Sequence, residues 1–361
     1  MKLRRFFAFI LPVTLVFSLT EPAAAAEPAV SAQAYVLYDA DTGEVYASRE
    51  AHKRLPCAST TKIMTALVAL ERLPLDAQVT VSREHTLAEG SRMYLRDGEV
   101  ISVSDLLYGL LLASGNDAAL VLADAAAGST EQFAGLMNEK AAQLGMENTH
   151  FTNPSGLHDA EHYSSAYDLA VLMAAAMQNE DFARITGTRE VALTGRTVVN
   201  HNKLLHTVKG VDGGKTGYTK SAGRCLVSTA MRDGRRLIAV TINAPSDWSD
   251  HAKLYDYGFS QYAEQVLSTG GTFEARLTVV GSAEDSVALV SDGVSAFLTE
   301  AERAGLERVV YLPRFEYAPL TEGRVVGQIL WRYKGHTLAA SELRVAESAE
   351  NRFTSENKVL Y

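Results

Sequence analysis

The chain has 361 residues, of which 47% are hydrophobic and 21% are charged, and its formal net charge is −9. This length is enough for a large buried core and predicts two folded domains. An acidic chain without a basic run excludes nucleic acid as an expected partner.

The first 26 residues predict a secretory signal peptide. Lys2, Arg4 and Arg5 precede an apolar run at 6–19, and small residues follow up to Ala26. A positive start, a short apolar segment and small residues before the cleavage point are the three parts of such a signal. We therefore expect cleavage after Ala26 and an extracytoplasmic location, in the periplasm or at the outer face of the cell membrane or cell wall.

Strand and helix patterns alternate through the next part of the chain. Residues 33–48 predict a hairpin that turns at 41–43, and an apolar helix follows at 63–73. Further helices are predicted at 103–113 and 117–127, and Ser129 and Ser165 occupy N-cap positions for two more, which reach 144 and 177. Together these segments form the helical middle of the chain.

From residue 190 onward the pattern changes to strands. Strand-like runs are predicted at 190–199, 211–219, 224–230 and 237–243, followed by a helix at 247–265. Early strands, a helical middle and late strands predict an α/β domain in which one sheet draws on both ends of the chain. The predicted domain organisation is a signal peptide at 1–26, a main domain at 27–266, a small all-β domain at 267–350 and a polar tail at 351–361.

One pair of residues at the start of the first helix suggests nucleophilic chemistry. Ser59 and Lys62 are three positions apart, so on a helix the amine lies within reach of the hydroxyl and can take its proton. A lysine acts as a base only when it is neutral, and burial or a neighbouring cation favours that state. Taken alone, the pair favours a different interpretation, a capping serine and a snorkelling surface lysine.

Two further motifs follow in order, Ser114-Gly115-Asn116 and Lys215-Thr216-Gly217. The Ser114 hydroxyl can relay a proton, and the Asn116 amide can hold a substrate amide. Lys215 and Thr216 on a strand edge suit a carboxylate, while Gly217 leaves room for a peptide beside the strand. Each motif is weak alone, but the ordered set of three is specific.

With these motifs in place, the chain resembles the low-molecular-mass penicillin-binding proteins of the D-alanyl-D-alanine carboxypeptidase family. The resemblance extends over about 32–263, through matching stretches at 58–65, 114–118, 153–157, 162–168 and 210–219. It implies an α/β fold, with a penicillin-binding/β-lactamase-like transpeptidase domain (an antiparallel sheet with a helical subdomain) followed by a small all-β domain. It implies neither a cofactor nor a metal.

The resemblance also implies an activity and its residues. The substrate would be a peptidoglycan stem pentapeptide that ends in D-Ala-D-Ala. Its terminal D-alanine would leave through an acyl-enzyme on the serine, and β-lactam antibiotics would acylate the same serine. The implied catalytic residues are Ser59, Lys62 and Ser114. The implied substrate-binding residues are Asn116, Lys215, Thr216 and Gly217, and the backbone N–H groups of Ser59 and Tyr218 would form the oxyanion hole.

Some features depart from the family pattern. Cys57 stands two residues before the serine, where relatives often carry an apolar residue or proline. His201 falls near a position where several relatives place an arginine that holds the substrate carboxylate, so its role stays open. The sequence does not decide whether Cys57 and Cys225 pair. Many relatives end in an amphipathic membrane anchor, which this sequence lacks, so we expect any membrane association to be peripheral.

Four alternatives compete with this interpretation. A serine β-lactamase shares the three motifs, but the class A enzymes add an E-x-x-L-N stretch that does not occur here. A non-catalytic peptidoglycan- or penicillin-binding module stays open. Residues 158–162 fit the zinc motif H-x-x-E-H, but they lie in a predicted loop, so we expect two surface histidines. Residues 210–216 resemble a phosphate loop but are one residue short of its spacing.

Overall fold

The computed structural model describes residues 27–352. The predicted signal peptide, and all but the first two residues of the predicted polar tail, lie outside the described residues. The first nine strands are β1 (Ala34–Asp39), β2 (Val45–Arg49), β3 (Gln78–Thr80), β4 (Val100–Ser102), β5 (Glu190–Leu193), β6 (Arg196–Val199), β7 (Val211–Thr219), β8 (Gly223–Arg232) and β9 (Arg235–Ile242).

Eight helices accompany these strands in the described residues, and four of the eight begin at a side-chain cap. They are α1 (Lys62–Arg72), α2 (Val103–Leu112), α3 (Asn116–Ala127), α4 (Thr130–Gln143), α5 (Ala166–Ala176), α6 (Glu180–Thr186), α7 (Leu204–Thr207) and α8 (Asp247–Phe259). The predicted caps of α4 and α5 are present, because the Ser129 and Ser165 hydroxyls accept from the backbone N–H groups of Gln132 and Asp168. Such a bond satisfies one N–H at the helix start that has no intrahelical partner.

An antiparallel sheet of order β2-β1-β9-β8-β7 forms the centre of the main domain. Alternate residues of β1 bury opposite faces: Val36 joins the helical core around α1 to α6, and Leu37 packs against Leu254 and Tyr255 of α8. This alternation is the period-2 pattern of a strand covered on both faces. The predicted sheet from both ends of the domain is confirmed, and β7 is left at its edge.

The second module is built mainly from antiparallel strands. Its elements are β10 (Ala263–Ser268), β11 (Thr272–Val280), β12 (Ser286–Ser291), β13 (Val294–Leu298), α9 (Glu300–Ala304), β14 (Glu307–Tyr311), β15 (Glu316–Tyr317), β16 (Val325–Tyr333) and β17 (His336–Val345). Six strands form a sheet of order β14-β16-β17-β12-β11-β15, in which only the β11–β15 pair is parallel, and β10 pairs with β13.

Two local predictions were wrong. The helix predicted at 247–265 ends at Phe259, because residues 263–268 form β10 and pair with β13 of the second module. The run at 190–199 is a hairpin, β5–β6, which turns at Gly195 with a φ of 75°. The short helices α6 and α7 were not predicted. The domain limits stay predictions, and the pairing of β10 favours a limit before Ala263.

A buried polar cluster joins the two modules. Arg235 of β9 donates to the Asp39 carboxylate at 2.8 Å and to Glu302 of α9. The hydroxyls of Tyr46 and Tyr262 donate to the same Asp39 carboxylate, at 2.8 and 2.6 Å. Because the paired charges are hydrogen-bonded on several sides, the cost of burying them is offset within the cluster.

Candidate active site

Ser59 lies in a short 3₁₀ turn, Ala58–Thr61, that leads directly into α1. The Lys62 Nζ is 3.0 Å from the Ser59 Oγ, so the contact expected from their spacing is present. The same Nζ donates to the backbone carbonyl of Ser155 at 2.6 Å. The amine is therefore held against the hydroxyl from two directions.

Lys62 has no exposed surface, which excludes a snorkelling surface lysine. Burial lowers the pKa of its amine well below 10.5, and the nearby Lys215 cation lowers that pKa further, while Asp117 opposes both effects. Burial disfavours the charged form of an amine, and a like charge adds to this. Lys62 is thus placed where a neutral, proton-accepting amine is favoured.

The second lysine, Lys215, is also buried. Its Nζ donates to the backbone carbonyl of Thr216 at 2.8 Å. Burial lowers the pKa of Lys215 to about 7. A neighbouring carboxylate would raise this pKa again by favouring the charged form. The charge on Lys215 therefore depends on whether an anion lies close to it.

The loop between α2 and α3 carries the second motif. Ser114 has a φ of 61°, in the left-handed region, where a residue with a side chain is strained by about 1–2 kcal/mol. The Asn116 Nδ2 donates to the Glu89 carbonyl at 2.5 Å. Its Oδ1 is buried and has no partner within residues 27–352, although buried acceptors are usually satisfied. This oxygen therefore retains an unused capacity to accept a hydrogen bond.

The third motif lies on the edge strand β7, beside the predicted nucleophile. A Cβ added to Gly217 would lie 3.0 Å from the Ser59 backbone nitrogen and 3.1 Å from the Ala58 Cβ. These distances are close to the contact limit, so β7 can come this near to the turn because Gly217 has no side chain. The edge position leaves the outer side of β7 unpaired by any strand of residues 27–352.

A cavity of about 300 Å³ opens between the turn, the loop and β7. Five of the predicted site residues line it: Ser59, Ser114, Thr216, Gly217 and Tyr218. Lys62, Asn116 and Lys215 are buried and do not line it. The remaining lining residues, none of them predicted as site residues, are Ser91, His201, Arg224, Asp247 and Trp248.

Two residues that support the site were not predicted from the sequence, because they act through hydrogen bonds to residues distant in the chain. Asp117 accepts from the backbone N–H groups of Met93 and Leu95 at 3.0 and 3.1 Å, which fixes the preceding loop to α3. The Ser155 carbonyl holds the Lys62 amine. Both residues belong to stretches that carried the resemblance, so the motifs contained a signal for them without indicating what they contact.

His162, the second histidine of the H-x-x-E-H motif, supports the nucleophile turn. Its Nδ1 accepts from the Thr152 backbone N–H at 3.1 Å, and its Nε2 is 2.8 Å from the Thr61 Oγ1. Burial lowers the pKa of His162 to about 4, so the ring is neutral at pH 7. The expected loop is confirmed, but His162 is buried rather than at the surface. No group of three potential metal ligands occurs within residues 27–352.

Gly156 permits a close approach to the turn that carries Ser59. Its φ is +79°, and an added Cβ would lie 1.9 Å from the Ala58 carbonyl oxygen. We expect Gly156→Ala to reduce the free energy of unfolding by about 2–4 kcal/mol and to slow acylation of the serine, because the turn must move. Urea unfolding and a penicillin-labelling rate measure the two effects.

Gly145→Ala is the matched control for this substitution. Gly145 has a similar φ of +72°, but an added Cβ meets no atom within 4 Å. Its cost is then backbone strain alone, about 1–2 kcal/mol, and labelling should be unchanged. If Gly156→Ala and Gly145→Ala lost equal amounts of unfolding free energy and labelling rate, the close approach at Gly156 would have no role in holding the turn.

The two cysteines flank the same region. Both are buried free thiols, so the structure contains no bridge between them. Cys57 Sγ is 3.3 Å from the Thr61 Oγ1, and Cys225 is the cross-strand partner of Gly217. Burial raises the pKa of both thiols, that of Cys225 to about 12, which keeps them protonated and unreactive.

Comparison with known proteins identifies the family. Residues 21–246 match the sequence model of the family described as D-alanyl-D-alanine carboxypeptidase. This match covers more than half of the chain. The chain belongs to the D-alanyl-D-alanine carboxypeptidase family. It is therefore a serine-type hydrolase with a penicillin-binding fold, as the resemblance implied.

Individual relatives of the family agree along most of the chain. D-alanyl-D-alanine carboxypeptidase DacF of Bacillus subtilis is 34% identical over 89% of this chain and 86% of its own length. DacC of Escherichia coli is 34% identical over 90% of this chain and 85% of its own length. The solved structure of penicillin-binding protein 5 from Haemophilus influenzae has a TM-score of 0.65 at 28% identity, covering 91% of this chain and all of that chain.

These matches confirm the predicted fold class, including the all-β module that follows the family's catalytic domain. They also favour a carboxypeptidase over a β-lactamase as the interpretation of the three motifs. Within residues 27–352, no helix has both the length and the apolar character needed to cross a membrane.

Proposed function

We propose that this family member removes the terminal D-alanine from peptidoglycan stem pentapeptides through an acyl-enzyme on Ser59. The observation that carries the proposal is the 3.0 Å contact between the Ser59 hydroxyl and the fully buried Lys62 amine. The contact lies beside an edge strand and a cavity that together can receive a peptide. A nucleophile paired with a neutral amine is the minimum needed for acyl transfer.

In the acylation step, neutral Lys62 takes the Ser59 proton as the Ser59 Oγ attacks the carbonyl between the two D-alanines. The backbone N–H groups of Ser59 and Tyr218 donate to the oxyanion, an interaction that typically contributes about 3 kcal/mol per donor. The proton then passes, with the help of the Ser114 hydroxyl, to the amine of the leaving D-alanine. The C–N bond breaks, and an ester on Ser59 remains.

The substrate is positioned by the remaining predicted residues. Lys215 and Thr216 bind the terminal carboxylate, and the bound anion restores the charge on Lys215. The peptide lies along the free edge of β7 beside Gly217, and the Asn116 Oδ1 accepts from a substrate amide. Water then hydrolyses the ester, with Lys62 again accepting a proton. A β-lactam imitates the D-Ala-D-Ala end and leaves a slowly hydrolysed adduct on Ser59.

We expect purified protein without residues 1–26 to release D-alanine from a stem pentapeptide ending in D-Ala-D-Ala. Release is followed with a coupled D-amino-acid oxidase assay, and a tetrapeptide that lacks the terminal residue serves as the control. Penicillin labelling without release would indicate a non-catalytic binding module. Rapid turnover of a chromogenic cephalosporin, with no release of D-alanine, would indicate a β-lactamase.

We further propose that the enzyme acts outside the cytoplasm in cell-wall biogenesis and in maintaining cell shape. The charged start and short apolar run at 1–26 support export, and peptidoglycan lies outside the cytoplasmic membrane. N-terminal sequencing of the exported protein should begin at Glu27. An intact Met1 on exported protein would contradict cleavage after Ala26.

A further inference from the structure

Arg224 lines the active-site cavity, although no predicted role involves it. One of its terminal nitrogens donates to the Asp247 Oδ1 at 2.7 Å, and its Cζ lies 5.6 Å from the centre of the Trp248 ring. The Asp247 side chain is only 3% exposed, whereas that of Arg224 is 42% exposed. The guanidinium is thus fixed from behind by a buried carboxylate and an aromatic ring, and its open side faces the cavity.

The charge of Arg224 is distinctive within this cavity. Among the residues of the described chain that line it, Arg224 is the only lysine or arginine. Asp247 does not compete for ligands, because its Oδ1 also accepts from the Trp248 backbone N–H at 2.9 Å and the residue is buried. A guanidinium has five N–H donors, so one ion pair leaves donors for a second anion.

The geometry of β7 indicates which part of the substrate Arg224 would meet. Lys215 and Thr216 precede Gly217 on the strand, and Tyr218 follows it. Arg224 is the cross-strand partner of Tyr218, so their side chains share one face of the sheet. If the terminal carboxylate lies at Thr216 and the Tyr218 N–H holds the oxygen of the scissile carbonyl, as proposed above, the acyl side of the peptide extends past Tyr218 towards Arg224.

We propose that Arg224 is a specificity-determining residue that binds a carboxylate in the side chain of the residue preceding the two D-alanines. This assignment rests on the proposed function, because it uses the direction in which the peptide lies along β7. Charge-assisted bonds from a guanidinium to a carboxylate are strong and geometrically selective. Arg224 would therefore favour acidic stem peptides over neutral ones by lowering KM rather than by changing the chemical step.

The test uses two peptides, Nα-acetyl-Xaa-D-Ala-D-Ala, in which Xaa is L-2-aminopimelate or its side-chain carboxamide. We expect Arg224→Gln to lower kcat/KM for the carboxylate peptide about tenfold, mainly through KM, and to change it less than about twofold for the carboxamide. Arg224→Lys keeps the positive charge without the planar guanidinium. Its loss of kcat/KM for the carboxylate peptide should therefore be smaller. Arg224→Lys also provides a second variant if Arg224→Gln folds poorly.

Arg184→Gln is the matched control. Arg184 is similarly exposed, pairs with Asp181 at 2.6 Å and lies 6.0 Å from the Tyr108 ring, but it does not line the cavity. Arg184→Gln should leave kcat/KM unchanged for both peptides. Equal losses on both peptides in Arg224→Gln would overturn the assignment and indicate a structural role. Failure of the unmodified enzyme to release D-alanine from either peptide would instead overturn the proposed function, and the assignment with it.

Discussion

Replacing Ser59 with alanine should abolish the penicillin adduct and reduce the release of D-alanine by about 10⁴-fold or more. The reason is that the substitution removes the atom that forms the acyl-enzyme, while the surrounding turn keeps its backbone. Mass spectrometry of the labelled protein, after proteolysis, locates the adduct in the unmodified enzyme and tests for its absence in the variant.

Ser129→Ala is the control for this variant. It removes the hydroxyl that caps α4, outside the cavity, and should cost about 1 kcal/mol of stability without affecting labelling. Thermal unfolding of both variants separates loss of fold from loss of chemistry. An adduct that persists in Ser59→Ala, or that maps to another residue, would contradict the assignment of Ser59 as the nucleophile.

The limiting rate of acylation by penicillin should rise with pH and then level off. The midpoint of the rise should lie at a pH well below 10.5. Protonated Lys62 cannot take the Ser59 proton, and burial together with the Lys215 cation lowers the pKa of Lys62. Lys62→Met should reduce the rate by about 10³-fold or more at all pH values. Stopped-flow labelling at saturating penicillin, from pH 5 to pH 10, measures the profile.

Burial of the two lysines also makes the free energy of unfolding depend on pH. In the unfolded chain Lys62 and Lys215 stay protonated up to about pH 10.5, whereas in the folded protein both lose their protons at a lower pH. The unfolded state thus binds more protons in the interval between, so the free energy of unfolding rises with pH there. For Lys215 the interval begins at about pH 7. Lys62→Met should weaken this rise, which urea unfolding at pH 7 and pH 9 measures.

Lys62→Arg is the matched control for the lysine prediction. Arginine can donate hydrogen bonds as lysine does, but it stays charged throughout the accessible pH range and cannot serve as the base. We therefore expect negligible acylation even at pH 10. Full activity in this variant, or a pH-independent rate in the unmodified enzyme, would show that Lys62 is not the proton acceptor.

The sequence determined the order of the main elements and half of the residues that line the cavity. The spacing of Ser59 and Lys62, the caps at Ser129 and Ser165 and the strand at 211–219 are local features, each fixed by neighbours in the chain. Local patterns of this kind survive folding because tertiary packing here agrees with them. The three motifs also marked the parts of the chain that meet at the site.

Only the tertiary structure decided two things: the charges of the buried lysines at the site, and the other half of the residues that line the cavity. Lys62 and Lys215 are 153 positions apart, and the effect of Lys215 on the pKa of Lys62 arises because packing buries both in one place. Arg224 joins the cavity through strand pairing with Tyr218 and its ion pair with Asp247. Burial and proximity between distant residues depend on how the elements pack, so a pattern in the chain predicts the residue types but not the charges they carry.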